Sequence, residues 1–499
     1  MIITELQQLY AAHPNVEGMY RLLQDNSVRH LYCSGLCASA ASLFSSVLIQ
    51  RVECPFVFIL GDLEEAGYFY HDLTQILGTE QVLFFPSSFR RAIKYGQKDA
   101  ANEILRTEVL SRLQKGEEGL CVVTYPDALA EKVVSRKELG DKTLKLHLGE
   151  KVDMDFVTEV LRSYSFEYVD YVYEPGQYAV RGSIIDVFSF SSEFPFRIDF
   201  FGDEVESIRT FEVESQLSKE KKENIVIVPD LSHSLEQRGN GGMVSFLDFL
   251  QPDTLLAMKD FLWLRERIQT VHDEALTAQA IAAREAEENG LISLDGKLID
   301  GGEFTLRALD FRRIEFGTKP TETPDATVTF NTTAQPIFHK NFDLVAESFH
   351  DYLSRNYALY ICSDSLKQTE RIRAIFEDRG DNISFTSVER TLHEGFADDA
   401  LRLCIFTDHQ LFDRFHKYNL KSDKARSGKV ALSLKELNQF TPGDYVVHTD
   451  HGVGRFTGLV RIPNGDTTQE VMRLVYQNDD VVFVSIHSLH KVSKYKGKE

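Results

Sequence analysis

Short apolar runs alternate with longer amphipathic stretches over the first 140 residues of the chain. The apolar runs predict buried strands at residues 28–33, 56–60, 82–85 and 120–124. The amphipathic stretches between them predict helices at residues 38–50, 63–77 and 100–113. Because strands and helices alternate with short turns, we expect a parallel sheet covered by helices, forming a first α/β domain at residues 1–141.

A different pattern begins near residue 143. Leu144, Leu146 and Leu148 alternate with polar residues, which predicts a half-buried strand, and residues 154–164 predict one short helix. Further strands are predicted at residues 168–173, 178–181, 184–188, 196–200 and 204–211. We therefore expect a mostly antiparallel α+β domain, inserted at residues 142–216. The charged residues 217–224 predict a surface loop, and residues 225–228 are expected to return to the first sheet within a part spanning 217–330.

Two further domains are predicted towards the end of the chain. Residues 260–289 predict a long helix, and residues 335–430 predict a small α/β domain with strands at 358–362, 383–386 and 401–406 around a helix at 366–378. A basic, polar connector follows at residues 421–429. Four short strand-like runs at 445–447, 456–460, 471–476 and 481–486, with little helix signal, predict a small β-barrel at residues 440–499.

Composition narrows the class of protein. A chain of 499 residues is too long for one core, and its apolar (43%) and charged (26%) fractions are those of a soluble globular protein. No apolar run could span a bilayer and the first residues lack a signal peptide, so we expect a cytoplasmic protein. The six scattered cysteines are interpreted as reduced packing residues, and no metal site is predicted.

The net charge of −21 indicates that no long-range positive field draws this chain to DNA. Contact with DNA is expected to be weak at most. A local basic patch at Arg90, Arg91 and Lys94 leaves that possibility open.

The segment after the first predicted strand stands where a nucleotide-binding P-loop would lie. Against the pattern G-x-x-x-x-G-K-S/T, Gly35 holds the first glycine, Ala40 the second glycine, Ala41 the lysine and Ser42 the hydroxyl position. The lysine that compensates phosphate charge is absent, so we expect no tight ATP binding. Two interpretations stay open: a degenerate P-loop, or a glycine that simply ends a strand.

Catalytic patterns are not evident elsewhere in the sequence. We find no acidic strand-end motif, no H-E-x-x-H motif and no Ser/His/Asp or paired-carboxylate arrangement above chance. The chain is therefore expected to be a non-enzyme without a cofactor of its own.

The strand predicted around residues 196–201 carries a candidate binding surface. Alternation puts Arg197, Asp199 and Phe201 on one face and Phe196, Ile198 and Phe200 on the other. Since Phe200 and Phe201 cannot both point into one core, one of them should be exposed. An exposed aromatic beside arginines is typical of a binding hot spot. The alternative is a solvated face with incidental ion pairs, such as Arg197 to Glu204.

Two blocks of sequence resemble known families. Residues 176–188 and 195–211 resemble domain 2 of the repair protein UvrB and of the bacterial transcription-repair coupling factor (Mfd). That resemblance implies a UvrA-binding domain, and the matching family positions fall on Arg181, Arg197 and Phe201. Residues 442–456 resemble the RNA-polymerase-interacting module shared by coupling factors and CarD-like regulators.

The second resemblance implies docking on the RNA polymerase β subunit through an exposed edge strand. The predicted edge is residues 458–463, with Val460, Arg461 and Ile462 as the contact positions. For Ile462, a core position is the open alternative.

Taken together, the resemblances identify the chain as the N-terminal, adaptor part of a coupling factor, ending before the ATP-using motor of the family. The missing lysine and the short segment 89–98, with its single tyrosine, point away from UvrB. Two alternatives remain: a UvrB-like repair protein with residual nucleotide or DNA processing activity, and a free-standing polymerase regulator of the CarD type.

Overall fold

The structure is a computed structural model. It describes residues 1–89, 100–213, 215–231, 242–277, 296–420, 441–448, 451–464, 467–477, 480–485 and 492–495, without the side chains of residues 100, 461–470, 485, 493 and 494. Contacts divide the chain into two compact units, Met1–Arg136 with Arg238–Leu420, and Lys137–Gln237 with Lys421–Glu499. No helix among the described residues is long and apolar enough to cross a membrane.

The elements in the first part of the chain are α1 (Ile3–Ala11), α2 (Pro14–Gln24), β1 (His30–Ser34), α3 (Ala40–Arg51), β2 (Phe56–Ile59), α4 (Leu63–Leu77), β3 (Val82–Phe85), α5 (Ala100–Lys115), β4 (Cys121–Thr124), α6 (Pro126–Leu129), β5 (Val133–Val134) and α7 (Arg136–Asp141). They are followed by β6 (Leu144–His147), α8 (Met154–Ser163), β7 (Glu167–Tyr168), β8 (Gln177–Arg181), β9 (Ile184–Val187), β10 (Phe196–Phe201), β11 (Glu204–Phe211), β12 (Ser218–Lys221) and β13 (Asn224–Ile227).

The next elements are β14 (Met243–Val244), α9 (Phe246–Phe249), β15 (Leu255–Lys259), α10 (Phe261–Ala275), α11 (Gly301–Ala308), β16 (Arg312–Phe316) and β17 (Ala326–Thr329). Then come β18 (Thr332–Ala334), α12 (Phe342–Ser354), β19 (Ala358–Ser363), α13 (Leu366–Asp378), β20 (Thr386–Glu389), β21 (Phe396–Asp398), β22 (Leu403–Thr407) and α14 (Asp408–Leu411). The last strands are β23 (Tyr445–His448), β24 (Gly452–Asn464), β25 (Thr467–Val475), β26 (Val481–Ser485) and β27 (Val492–Lys494).

A seven-stranded sheet organises the first α/β part. Its strand order is β17-β1-β16-β15-β2-β4-β3, and every pair is parallel, as the alternating pattern predicts. Strand β2 is apolar throughout and all four of its residues are buried, as expected where helices cover both faces of a parallel sheet. The carboxyl end of β1 therefore opens into the loop that leads to α3, at the edge of the sheet where nucleotide loops lie.

The inserted part, residues 137–237, is built on a six-stranded sheet of order β12-β11-β10-β9-β8-β7. Helix α8 covers one face: Val157 and Leu161 pack with Ile198, Phe200 and Val205 in one core. Two expectations fail here. The predicted surface loop contains strand β12, which pairs with β11. Strand β13 pairs with β6 in a two-stranded sheet and does not join the first sheet, because an apolar strand pattern does not specify its partner.

A mixed five-stranded sheet of order β18-β21-β22-β19-β20 follows within the first unit. Strand β19 is parallel to β20 and β22, whereas β21 is antiparallel to β22 and to β18. Contacts with the preceding part are specific: the hydroxyl of Tyr10 in α1 donates to Asp398 at 2.7 Å, and both residues are buried.

The C-terminal sheet is antiparallel, in the order β26-β25-β24-β23-β27. Strand β27 was not predicted. Six buried side chains form the core of this sheet: Val446, Phe456, Met472, Leu474, Val484 and Val492. Closure of this sheet into a barrel remains a prediction.

Candidate functional site

Two arginines of the inserted sheet converge on one buried carboxylate. Asp186 in β9 is 1% exposed, and it pairs across the sheet with Arg197 in β10. Arg197 donates to both carboxylate oxygens, from Nε at 2.8 Å and from Nη2 at 2.9 Å. Arg181, at the end of β8, also donates to Asp186. A bidentate arginine with a second guanidinium neutralises the buried carboxylate and holds both side chains in place.

The two arginines differ in how much of each remains accessible. Arg197 packs its guanidinium 4.5 Å from the ring centre of Phe211 and donates to the carbonyl oxygen of Gln216 at 3.0 Å. Its side chain is 15% exposed, whereas that of Arg181 is 38% exposed. Arg197 is thus largely a positioning group, and Arg181 presents more of its charge to solvent.

Phe201 lies on the surface near this pair. It is 77% exposed, while its neighbour Phe200 is 4% exposed, so the expectation that one of the two is exposed is confirmed. Asp199 pairs with Ile184, and Ile184 pairs with Arg181, so Phe201 and Arg181 lie at the same end of the sheet. An exposed aromatic ring and an arginine held by an ion pair thus occur at the same end of this sheet.

The ion pair suggested from the sequence between Arg197 and Glu204 does not form. Glu204 pairs with Phe201 across the hairpin that joins β10 and β11, and the partner of Arg197 is Asp186. The sequence carried a signal for this: Asp186 interrupts an apolar strand run, where a carboxylate needs a positive partner.

The loop after β1 is bonded to the chain's own later segments. The amide of Cys37 donates to Oγ1 of Thr332 at 3.0 Å, and that hydroxyl donates to the carbonyl oxygen of Gly35 at 2.5 Å. The amide of Ser39 donates to the carbonyl oxygen of Glu394 at 3.3 Å. Two backbone amides of the loop, those of Cys37 and Ser39, are therefore already bonded and not free to hold a phosphate.

A buried acidic side chain lies beneath the loop. Asp72 in α4 is buried and accepts hydrogen bonds from the hydroxyl of Ser42 and from the amide of His393, both at 2.7 Å. Its burial raises its pKa. The hydroxyl of Ser42, which stands at the Ser/Thr position of the P-loop pattern, is thus engaged internally.

The packing around the loop explains the residues at positions 35 and 40. Gly35 has φ +79°, and a Cβ there would lie 2.0 Å from the carbonyl oxygen of Phe330, so the close approach of the neighbouring chain requires glycine. Ala40 is buried at the start of α3, and Ala41 is half-buried.

The predicted basic patch at Arg90, Arg91 and Lys94 lies outside the described residues, which include only Phe89 of segment 89–98.

The predicted polymerase-binding positions lie on the second half of β24. Residues Arg455 to Asn464 pair with β25, whereas β23 pairs only with Gly452 to Arg455. Backbone bonds to residues 443 and 444 continue as far as Phe456. Among the described residues, no strand pairs with the other edge of β24 beyond that point. Val460 is half-buried, and Leu459, which was not predicted, is 38% exposed. The side chains of Arg461 and Ile462 lie outside the described part.

The family comparisons assign both surfaces to known domains. Residues 144–233 match the family model of the UvrB interaction domain, and residues 440–496 match that of the CarD-like/TRCF RID domain. Over 93% of its length the chain is 22% identical to the transcription-repair-coupling factor of Bacillus subtilis (strain 168). It is 23% identical to those of Staphylococcus aureus strains bovine RF122 and USA300, again over 93% of the chain.

The chain is a relative of the transcription-repair-coupling factors. It spans 45% of the length of these curated relatives. The match to the UvrB interaction domain extends beyond residue 216 and includes β12 and β13, in agreement with their packing in the inserted part. Within a coupling-factor relative, the Arg181–Asp186–Arg197 cluster with Phe201 belongs to the UvrB interaction domain, and the open edge of β24 belongs to the RID domain.

Proposed function

We propose that this chain is the adaptor part of a transcription-repair coupling factor. Its inserted domain recruits UvrA, and its C-terminal sheet binds the RNA polymerase β subunit, so that damage recognition is brought to a polymerase in nucleotide excision repair. The predicted division into domains 1–141, 142–216, 217–330, 335–430 and 440–499 is part of this proposal. The pairing of β12 and β13 supports moving the boundary after 216 to about residue 233.

The proposed binding of UvrA rests on one observation. An exposed aromatic side chain occurs on the same sheet as two arginines that are held in place by ion pairs. Phe201 is 77% exposed, and Arg181, at the same end of the sheet, is held by Asp186. Anchors of protein interfaces are enriched in aromatic side chains and arginine, and rigid anchors lose little entropy on binding. Arg197 supports the surface mainly by fixing Asp186, and it adds part of its own charge.

The polymerase half is supported by the open edge of β24. An unpaired strand edge accepts an added strand through backbone hydrogen bonds, and neighbouring side chains then set the register. Val460, Arg461 and Ile462 are the proposed contact positions, and the exposed side chain of Leu459 extends the apolar part of that surface.

The loop after β1 is proposed to be a degenerate P-loop that binds no ATP. The internal bonds of Cys37, Ser39 and Ser42 support this interpretation, as does the carboxylate of Asp72 below them. This part of the protein is accordingly proposed to act without nucleotide chemistry, and contact with DNA is proposed to be weak.

Titration of the purified chain with UvrA, and separately with the amino-terminal region of the polymerase β subunit, tests the proposal at physiological salt. Saturable binding to both partners is expected. Saturable ATP binding at micromolar concentration would instead favour a UvrB-like activity. Polymerase binding without UvrA binding would favour a CarD-type regulator.

A further inference from the structure

Four histidines from separate segments meet within the first unit. His71 comes from α4, His393 from the loop before β21, His409 from α14 and His416 from the segment after α14. Potential ligand nitrogens of His393, His409 and His416 all lie within 4.8 Å of one another. No metal-binding motif marks this cluster in the sequence, because His71 is more than 300 positions from the other three and these have no familiar ligand spacing.

We propose that His393, His409 and His416 form a binding site for a zinc-class divalent transition-metal ion, with His71 as a fourth imidazole at its edge. Imidazole nitrogen is a preferred ligand of such ions, and three protein ligands with one further position make a tetrahedral site.

Distances within the cluster suit this geometry. The Nδ1 atoms of His393 and His416 are 3.3 Å apart. In a tetrahedral site with Zn–N bonds of about 2.0–2.1 Å, two ligand nitrogens lie about 3.4 Å apart. The ring of His409 stacks on that of His416 at a centroid distance of 4.2 Å, so binding requires His409 to rotate about its side-chain torsions and point a nitrogen at the ion.

Hydrogen bonds and stacking place the histidines next to one another before an ion binds. Nε2 of His409 lies 2.6 Å from the carbonyl oxygen of His393, and rotation of His409 towards the ion would exchange this hydrogen bond for a metal bond. The hydroxyl of Tyr68 donates to the carbonyl oxygen of His416 at 2.7 Å, and the ring of Tyr68 stacks on His393.

An unpartnered nitrogen points to a ligand at the same place. Nε2 of His71 is buried and has no hydrogen-bond partner, although its ring lies 4.8 Å from that of His416. A buried polar atom without a partner is costly, and a metal ion would satisfy it.

Such a site would tie the segment after α14 to helix α4. Gly67 already permits close packing there, since a Cβ on it would lie 2.4 Å from the ring of Tyr418. The metal would therefore link the mixed-sheet part to the first α/β part. It would stabilise the folded state because it binds that state preferentially.

The test uses the tag-free chain, stripped of metal with a chelator and titrated with Zn²⁺ by calorimetry. We expect one equivalent to bind at micromolar or lower Kd, and the midpoint of thermal unfolding to rise by several degrees. His416→Gln and His409→Gln should each weaken binding at least tenfold and reduce the thermal shift. His350→Gln changes an exposed histidine of α12 and should bind as the parent does.

A second measurement uses the parent protein alone, so that misfolding of a variant cannot affect its result. X-ray absorption at the zinc edge of the parent protein should show histidine ligands at about 2.0–2.1 Å. Absence of saturable binding, or a spectrum without histidine scattering, would overturn the proposal. Unchanged one-to-one affinity in His416→Gln and His409→Gln would overturn it as well.

Discussion

Replacement of Phe201 by alanine isolates the proposed UvrA contact. The side chain is 77% exposed, so its removal should change the free energy of unfolding by less than about 0.5 kcal/mol. A phenylalanine presents roughly 200 Å² of surface, and about 150 Å² of it is free here. At about 25 cal/mol per Å², complete burial against UvrA would contribute up to about 4 kcal/mol, of which alanine would retain a part.

Allowing for incomplete burial, we expect Phe201→Ala to weaken UvrA binding by about 1–3 kcal/mol, which raises Kd roughly 5- to 150-fold. Calorimetry or fluorescence anisotropy with purified UvrA measures this change. Phe156→Ala is the matched control, since Phe156 is 52% exposed on α8, which covers the opposite face of the same sheet. A change below twofold for Phe201→Ala, with the fold intact, would refute its role as an anchor.

Three further substitutions separate folding, polymerase binding and nucleotide binding. Arg197→Ala leaves the buried Asp186 with one arginine and should lower the free energy of unfolding by about 2–3 kcal/mol in urea titrations, besides weakening UvrA binding; equal stability would contradict the proposed positioning role. Ile462→Arg should abolish binding to the polymerase β subunit and leave UvrA binding intact, whereas loss of both would indicate misfolding. Ala41→Lys restores the P-loop lysine yet should give no saturable ATP binding in equilibrium dialysis, because the amides of the loop remain bonded to Thr332 and Glu394.

Elements with strong local signals were predictable from the sequence. Helix α4 begins and ends where predicted, since the side chain of Asp62 accepts a hydrogen bond from the amide of Glu65 and Gly78 ends the helix at φ +83°. Strand alternation also predicts that one of Phe200 and Phe201 is exposed. Both are properties of a few neighbouring residues.

Features that depend on distant partners were not predictable. The apolar pattern of residues 225–228 fits any sheet, and only the tertiary fold pairs β13 with β6. Likewise, Thr332 and Glu394 are about 300 residues or more from the loop that they fill. The family resemblance predicts the candidate surface through Arg181, Arg197 and Phe201, whereas the sequence pattern places Asp186, the buried partner of both arginines, only in a strand.

The measurement that tests the central claim most directly is a bridging assay. The amino-terminal region of the polymerase β subunit is immobilised, and capture of UvrA is measured with and without this chain at physiological salt. We predict that UvrA is retained only when the chain is present, and that Phe201→Ala and Ile462→Arg each reduce retention. Failure of the chain to retain UvrA while it binds the β subunit would contradict the two-ended adaptor.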